Sequence, residues 1–201
     1  IAAATLHPAG FIVVLNGDHD KIEVLRLADT PAASDDTARR ADLLSGPGNN
    51  RGNIRGGQAV AATQTGRTFI VLEAANGRLQ AIEDGGNPVM DYFSVPNVKG
   101  CFAPLKDGSA SDIIYLDMSV EPAGYIYVLS YQGVGDQVSD YHLDIYDPKG
   151  VWLVRTDGFN AARMVVDNWR NVFTLNYEQI TGPDGRTEPS LSQWIPPAPA
   201  P

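Results

Sequence analysis

Residues 113–155 read IIYLDMSVEPAGYIYVLSYQGVGDQVSDYHLDIYDPKGVWLVR, and this stretch decides the fold. Its apolar segments are rich in β-branched and aromatic residues, which favour strands. The turns EPAG at 121–124 and DPKG at 147–150 combine a proline, which presets φ, with a glycine, which accepts positive φ. A polar loop is predicted from Gln132 to Ser139. Four antiparallel strands are expected in about 45 residues, the size of one propeller blade, at Ile113–Val120, Tyr125–Tyr131, Tyr141–Tyr146 and Val151–Arg155.

Related phrases begin at Gly10, Gly66 and Arg170, each with a turn residue, an apolar strand, a polar gap and a second strand. Recurrence every 45–60 residues or so indicates a repeat architecture of the propeller kind. The fold class is therefore predicted as all-β, a β-propeller of about four four-stranded antiparallel blades. The blades are placed at approximately 1–47, 58–105, 112–157 and 161–195, followed by a Pro/Ala-rich tail at 196–201.

The other copies fit the same frame, although the last one is short of a strand. Residues 35–44 are read as a polar loop leading into a strand, with a short helix as the alternative. The Gly/Asn-rich segment Ser45–Gly57 is predicted to be a flexible connection between blades. The expected strands are Ala3–Leu6, Phe11–Leu15, Ile22–Leu27 and Ala41–Leu44 in the first copy, Gln58–Thr63, Thr68–Glu73, Arg78–Ile82 and Val89–Phe93 in the second, and Arg163–Val166, Val172–Asn176 and Leu191–Trp194 in the fourth.

The third and fourth copies resemble NHL-type β-propeller repeats, best over residues 112–178. The matching text is Leu116-Asp117 through Gly124-YIYVLSY, then Leu143-DIYDPKG, then Met164-VVD and Arg170-NVFTLNYE, with Arg170 in place of the turn glycine. The resemblance implies a propeller of about six blades and a scaffold without catalytic residues. This chain then belongs to a larger propeller, or another chain completes its sheets by edge addition. A small four-bladed ring is the third and less favoured possibility.

Composition narrows the range of partners. The 201 residues carry 15 Lys and Arg against 24 Asp and Glu, a net charge of −9. Nucleic-acid binding needs a concentrated basic face, so no nucleic-acid partner is expected. No apolar run reaches the roughly 18 to 20 residues that span a bilayer, so no membrane insertion is expected. The chain has one cysteine and so no intrachain disulfide. An extracellular or periplasmic location is favoured over a cytoplasmic one.

Acidic residues provide the candidate metal ligands. Asp117 and Asp167 are predicted near the ends of inner strands, where they either hydrogen-bond the following turn or line a channel mouth that holds Ca²⁺. Asp140, His142 and Asp144 share one strand face, which is read as a polar outer face or as a surface for a cation or cationic partner. Asp18, His19 and Asp20 form a further cluster, read as a solvated hairpin tip.

Aromatic residues provide the candidate partner surface. Most are expected to pack between blades, whereas those at loop edges can stack on a sugar or a peptide; the candidates are Tyr131, Tyr141, Trp152 and Trp169. No nucleophile elbow, P-loop, dinucleotide fingerprint or zinc signature is present in the sequence. The predicted function is a non-catalytic binding or scaffolding module for a protein or glycan. The alternatives are a calcium-dependent lactonase- or hydrolase-like propeller enzyme and a structural subunit of a larger complex.

Overall fold

A computed structural model describes residues 3–6, 12–16, 21–27, 38–41, 48–64, 68–83, 102–134, 137–176 and 190–194. Within these ranges the chain forms fifteen strands joined by turns and connections, with no helix. None of the described residues therefore belongs to a helix able to cross a bilayer. The strands make four sheets that follow one another along the chain, and every pairing is antiparallel. The all-β prediction with four-stranded antiparallel blades is confirmed.

We number the blades in chain order, and in each of them consecutive strands are neighbours. Blade 1 contains β1 (Ala3–Leu6), β2 (Ile12–Asn16), β3 (Lys21–Leu27) and β4 (Ala38–Ala41). Blade 2 contains β5 (Gly57–Ala62), β6 (Thr68–Glu73), β7 (Arg78–Glu83) and β8 (Phe102–Pro104). Blade 3 contains β9 (Ile113–Val120), β10 (Ile126–Val134), β11 (Gln137–Tyr146) and β12 (Trp152–Asp157). Blade 4 has three described strands, β13 (Arg163–Val166), β14 (Val172–Asn176) and β15 (Ser190–Trp194).

The core lies between the blades. Leu15 and Ile22 of blade 1 pack with Phe69 of blade 2. A second apolar cluster joins blade 2 to blade 3, and a third joins blade 3 to blade 4. All six residues of β6 are buried, because successive side chains of a strand point to opposite faces and blade 2 has a neighbour on each face. This packing explains why the strands lack a simple polar and apolar alternation.

One type of turn recurs three times and sets the orientation of the strands that follow it. The N–H of Glu121 donates to the carbonyl of Tyr125, and the N–H of Gly124 donates back to the carbonyl of Glu121. The same pair of hydrogen bonds closes the turns at 147–151 and 167–171. The fourth residue has positive φ in each turn, at 92° for Gly124, 74° for Gly150 and 66° for Arg170. Arg170 therefore takes the conformation that usually selects glycine, as its alignment with the turn glycines suggested.

Two predicted segments differ from the structure. Most of the predicted loop 132–139 is strand, since β10 and β11 continue through the pairs Gln132↔Asp140 and Val134↔Gln137. Asp112 supports this extension, because its carbonyl accepts the N–H of Gly133 and its carboxylate accepts the Gln132 amide. The fourth place in blade 1 is taken by 38–41 rather than 41–44, which makes the helical alternative wrong for these four residues.

In blade 2 the fourth place belongs to Phe102–Pro104, which pairs with β7. The segment Val89–Phe93, predicted for that place, lies outside the described residues, as does the tail 196–201. The prediction of Val89–Phe93 was based on local strand propensity alone. The segment that pairs with β7 lies further along the chain.

Two glycines of similar φ provide a matched test of the packing between blades 2 and 3. Gly77 has φ 59° and Gly108 has φ 63°. A Cβ on Gly77 would lie 2.3 Å from the Gly108 carbonyl carbon, whereas one on Gly108 would meet nothing within 4 Å. We expect Gly108→Ala to lower the free energy of unfolding by about 1 kcal/mol through backbone strain alone. Gly77→Ala should cost about 2 kcal/mol more, because backbone must move. Urea unfolding measures both, and equal losses would contradict the close approach.

Candidate functional site

The inner strands of all four blades, β1, β5, β9 and β13, line one cavity of about 490 Å³. This volume lies within the range of small-ligand pockets. Its lining includes the aliphatic residues Leu6, Val60, Val120, Val165 and Val166, but polar groups form the larger part of the wall. Asp117 and Arg163 are the charged residues that line it. We call this space the axial cavity.

Asp117 joins blade 3 to blade 4 along this cavity. One carboxylate oxygen accepts the N–H of Met118, and the other accepts the N–H of Met164 on β13, both at 2.9 Å. Ser119 repeats the arrangement two residues further on, where its Oγ accepts the N–H of Val166 at 3.1 Å. Arg163 adds a third hydrogen bond between blades 3 and 4, from its Nη1 to the carbonyl of Leu116. The edge of β13 is thus satisfied by side chains of blade 3 rather than by a further strand.

The pKa of Asp117 is raised above its ordinary value. Burial is the main cause, and it outweighs the lowering effects of the two backbone hydrogen bonds and of the Arg163 charge. The carboxylate therefore holds its proton more tightly in the folded chain than in the unfolded chain.

Asp167 occupies a different kind of position, in the turn after β13. Its Oδ1 accepts the N–H groups of Trp169 and Asn171, and its Oδ2 accepts the Asn171 amide at 2.8 Å. Desolvation acts to raise the pKa of Asp167, but these hydrogen bonds outweigh it and the pKa lies below its ordinary value. The shared turn aligns Asp167 with Glu121 and Asp147, whereas Asp117 lies within β9.

The structure offers these two carboxylates as hydrogen-bond acceptors for the backbone. Within the ranges that the structure describes, no three His, Cys, Asp or Glu side chains come together in a way that could hold a metal ion. Asp18, His19 and Asp20 lie outside those ranges. Calcium binding through Asp117 and Asp167 stays a prediction.

A bound ion stabilises the native state by mass action. If the chain binds calcium, EDTA-treated protein should gain several degrees in melting temperature when CaCl₂ is added, and MgCl₂ serves as the control. An unchanged melting temperature in both salts would count against a calcium site anywhere in the chain.

A buried charge cluster in blade 3 was missed by the sequence reasoning. Asp144 is 1% exposed, and its carboxylate accepts the Trp152 indole Nε1 at 2.9 Å and two nitrogens of Arg155 at 2.9 and 2.6 Å. Arg155 also pairs with Asp107. The predicted polar outer face is therefore wrong at Asp144 and at His142, which is also buried. Asp144 and Arg155 are direct cross-strand partners, so opposite charges on the two arms of the 147–150 turn were the available signal.

This cluster and two tyrosines hold the connection before blade 3, residues 105–110, against that blade. Besides the Asp107 pair, Tyr115 donates from its hydroxyl to the carbonyl of Gly108, and the Tyr146 hydroxyl accepts the N–H of Lys106. Burial raises the pKa of both tyrosines, so both phenols stay neutral. The connection between blades 2 and 3 is held to the sheet that it introduces.

In blade 2, other polar side chains likewise hold the connection that precedes the blade. The buried Glu73 accepts hydrogen bonds from Arg78 Nε at 3.0 Å and from Gln80 Nε2 at 2.7 Å. Gln80 in turn accepts the N–H of Gly52 at 2.7 Å and donates to the carbonyl of Asn53. The described part of the predicted flexible connection, 48–56, is therefore anchored to blade 2 by side chains of β6 and β7.

The four aromatic candidates are not brought to one surface. Tyr131 and Tyr141 are cross-strand partners whose ring centroids lie 5.6 Å apart, so they contact each other. Trp169 is 80% exposed in the turn after β13. Trp152 begins β12, with Lys106 Nζ 5.3 Å from its ring centroid. Four consecutive apolar residues at this place, Val151–Val154, are each between 38% and 47% exposed. The prediction of single aromatic contact residues did not identify this run.

Comparison with known proteins supports the fold alone. No protein-family model matches the chain, and no curated protein matches it significantly. Among solved structures, hydrazine synthase from Kuenenia stuttgartiensis is 10% identical with a TM-score of 0.57, over 95% of this chain and 49% of its own. U3-55K is 9% identical with a TM-score of 0.57, over 97% and 51%.

The β-propeller domain of Cps50 (Swd1) from Myceliophteria thermophila is 10% identical with a TM-score of 0.51, over 88% of this chain and 50% of its own. This chain thus has a β-propeller fold and spans about half the length of the structures that it matches. The NHL type of repeat finds no matching family model and stays a resemblance.

The two aspartates should respond to pH in opposite directions. With a raised pKa, Asp117 makes the chain lose stability as pH rises above about 4, the ordinary range of aspartate, until its folded pKa is passed. With a lowered pKa, Asp167 contributes stability that is present above about pH 4 and lost as pH falls through its folded pKa. The unfolding free energy of Asp117→Asn relative to wild type should therefore rise with pH, and that of Asp167→Asn should fall.

Urea unfolding between pH 2.5 and 7 measures both differences. Slopes of the same sign for the two variants would refute the opposite pKa shifts of these two carboxylates.

Proposed function

We propose that this chain is a non-catalytic binding module of the propeller type, whose partner is a protein that adds an extended segment to blade 3. The observation that carries the proposal is the exposure of Val151–Val154 at the outer strand of that blade. We call these four residues the β12 strip. Contiguous apolar surface of this kind is uncommon on a soluble chain and is typical of interaction sites.

The backbone of β12 favours an extended partner. Among the described strands, β12 pairs with β11 alone, so its outer edge has hydrogen-bonding groups that a partner strand can use. The register against β11 shifts within the strip, where Ile145 lies opposite Val154 and Tyr146 opposite Trp152, so Leu153 is the extra residue of a β-bulge at this edge. The main chain would provide affinity, and the apolar side chains would select β-branched or aromatic residues.

The local charge favours acidic flanks on the partner. Lys106 lies beside the Trp152 ring, and Lys149 is exposed in the turn just before the strip. Arg155, at the other end, is neutralised by Asp144 and Asp107. Two cations therefore border the strip, although the chain carries a net charge of −9. An apolar segment with acidic flanks complements this surface.

This chemistry favours a protein over a glycan, because a sugar would need exposed aromatic faces with polar groups around them. Tyr131 and Tyr141 contact each other, and Trp169 lies on another blade. The calcium-dependent enzyme and the structural subunit remain alternatives. Regucalcin from Agrobacterium tumefaciens, described as a calcium-binding protein, matches the fold with a TM-score of 0.51 at 12% identity, which carries no information on activity.

A model peptide tests the proposal directly. Fluorescein-labelled DEVTVTVDE should bind the chain, as measured by fluorescence anisotropy, whereas DEVTPTVDE should not, because proline removes a backbone donor. The lysine-flanked KKVTVTVKK should bind more weakly than the acidic peptide. Leu153→Asp should weaken binding of DEVTVTVDE at least about tenfold, since it places a carboxylate within the strip.

Trp169→Ala is the matched control, because Trp169 is a large exposed aromatic on another blade. The affinity of the Trp169→Ala chain for DEVTVTVDE should equal that of the wild-type chain. If no peptide binds, or if Trp169→Ala weakens binding while Leu153→Asp does not, strand addition at β12 is rejected.

A further inference from the structure

The wall of the axial cavity is made of strand edges. Among the described strands, β1 pairs with β2 alone, β5 with β6, β9 with β10 and β13 with β14. The N–H and C=O groups on the other edge of each inner strand are therefore not used by a sheet ladder. These groups explain why the wall is polar although many of its side chains are aliphatic. A small ligand in this cavity would meet hydrogen-bonding groups together with apolar surface.

Arg163 provides the positive charge of the cavity, and part of its guanidinium is already held in place. The residue is exposed on β13, and its Nη1 donates to the carbonyls of Leu116 and Ala162, both at 3.1 Å. A guanidinium has five N–H donors in a fixed planar arrangement. Nε and Nη2, which lie side by side on one edge of the group, donate to no acceptor within the described ranges. This edge matches the two oxygens of a carboxylate.

Other arginines of the chain show how this pair of donors is used when a carboxylate is near. Nε and Nη2 of Arg155 donate to the two oxygens of Asp144, at 2.9 and 2.6 Å. Nε of Arg78 likewise donates to Glu73 at 3.0 Å. Arg163 makes no such pair with a carboxylate in the part of the chain that the structure describes. It therefore presents to the cavity the donors that Arg155 uses internally.

Asp117 also lines the cavity and limits the charge that a ligand can carry. Its two carboxylate oxygens already accept the N–H groups of Met118 and Met164. Burial raises the pKa of Asp117 and the charge of Arg163 lowers it in part, so the two side chains act on each other electrostatically. A second negative group on a ligand bound at Arg163 would be repelled by Asp117. The cavity consequently favours a ligand with a single negative charge.

We propose that the axial cavity binds a small monocarboxylate with a short aliphatic chain, whose two oxygens accept hydrogen bonds from Nε and Nη2 of Arg163. The aliphatic chain would contact Leu6, Val60 and Val165, which line the same cavity. Since two carbonyls already hold Nη1, binding would cost little side-chain freedom. The site lies on the inner strands and is independent of the β12 strip.

Nuclear magnetic resonance of the ¹⁵N-labelled chain tests the proposal, with isovalerate as the probe. Isovalerate should shift the Nε–H signal of Arg163 and the backbone N–H signals of Met164 and Val166, and the shifts should saturate in the millimolar range expected for so small a ligand. Isovaleramide, which has the same shape without the charge, should produce no such shift. Sodium chloride at the same concentration should also produce none.

A conservative substitution tests the role of the guanidinium. Arg163→Lys should weaken isovalerate binding at least about tenfold, as measured on the backbone signals, because lysine keeps the charge but lacks the two parallel donors. Arg51→Lys is the matched control, since Arg51 is an exposed arginine that does not line the cavity. The affinity of the Arg51→Lys chain for isovalerate should equal that of the wild-type chain.

A pair of variants beside Arg163 tests whether a carboxylate occupies its free donors. Val165 lies two residues from Arg163 on the same face of β13 and is 58% exposed, so a polar side chain fits there. Val165→Glu would provide a carboxylate within the chain and should weaken isovalerate binding at least about tenfold, whereas the isosteric Val165→Gln should change it less than about threefold. Far-ultraviolet circular dichroism verifies that each variant keeps its strands.

Three results would overturn the proposed carboxylate site. The first is a wild-type chain whose signals show no saturable shift up to about 50 mM isovalerate. The second is a shift of equal size with chloride or with isovaleramide, which would mean that the carboxylate is not recognised. The third is wild-type affinity in both Arg163→Lys and Val165→Glu, which would mean that isovalerate binds elsewhere.

Discussion

A four-stranded sheet with apolar side chains on both faces is stable only between two other layers, and this constraint governs the whole molecule. A sheet with an apolar face must bury that face against another element. Leu15 of blade 1, Phe69 of blade 2 and Leu129 of blade 3 are each fully buried, and each belongs to a cluster shared with a neighbouring blade. In blade 4, Val172 is likewise fully buried in the cluster shared with blade 3.

Hydrogen bonds between blades fix their relative positions once the apolar faces are in contact. Asp117 and Ser119 of β9 accept the N–H groups of Met164 and Val166, so the edge of the inner strand of blade 4 is held by its neighbour. Apolar contact alone tolerates sliding of one sheet over another, whereas these directed bonds are made at a single register. The axial cavity consequently has a wall of defined shape between blades 3 and 4.

The strands were predictable from the sequence because their signal is local. The predicted bounds of Ile113–Val120, Thr68–Glu73 and Arg163–Val166 coincide with β9, β6 and β13. The pairing of β7 with Phe102–Pro104 was not predictable, because the choice among distant segments depends on packing. The burial of Asp144 was also hidden, since alternation does not reveal the solvent side of a sheet that is covered on both faces. The role of Asp117 depends on a backbone donor 47 residues away.

The anchoring of the two described connections has a consequence for the order in which the protein assembles. The segment 48–56 precedes blade 2 but is held by Glu73 and Gln80 of that blade, and the segment 105–110 is held in the same way by Tyr115, Tyr146 and Arg155 of blade 3. During synthesis each connection leaves the ribosome before the residues that bind it. A nascent chain that ends just before blade 2 or blade 3 therefore carries a connection whose polar partners have not yet been made, together with an uncovered apolar face on the blade before it. Each connection becomes fixed only when the blade that follows it has been translated, so truncation at these points should leave the preceding blade prone to association with other chains.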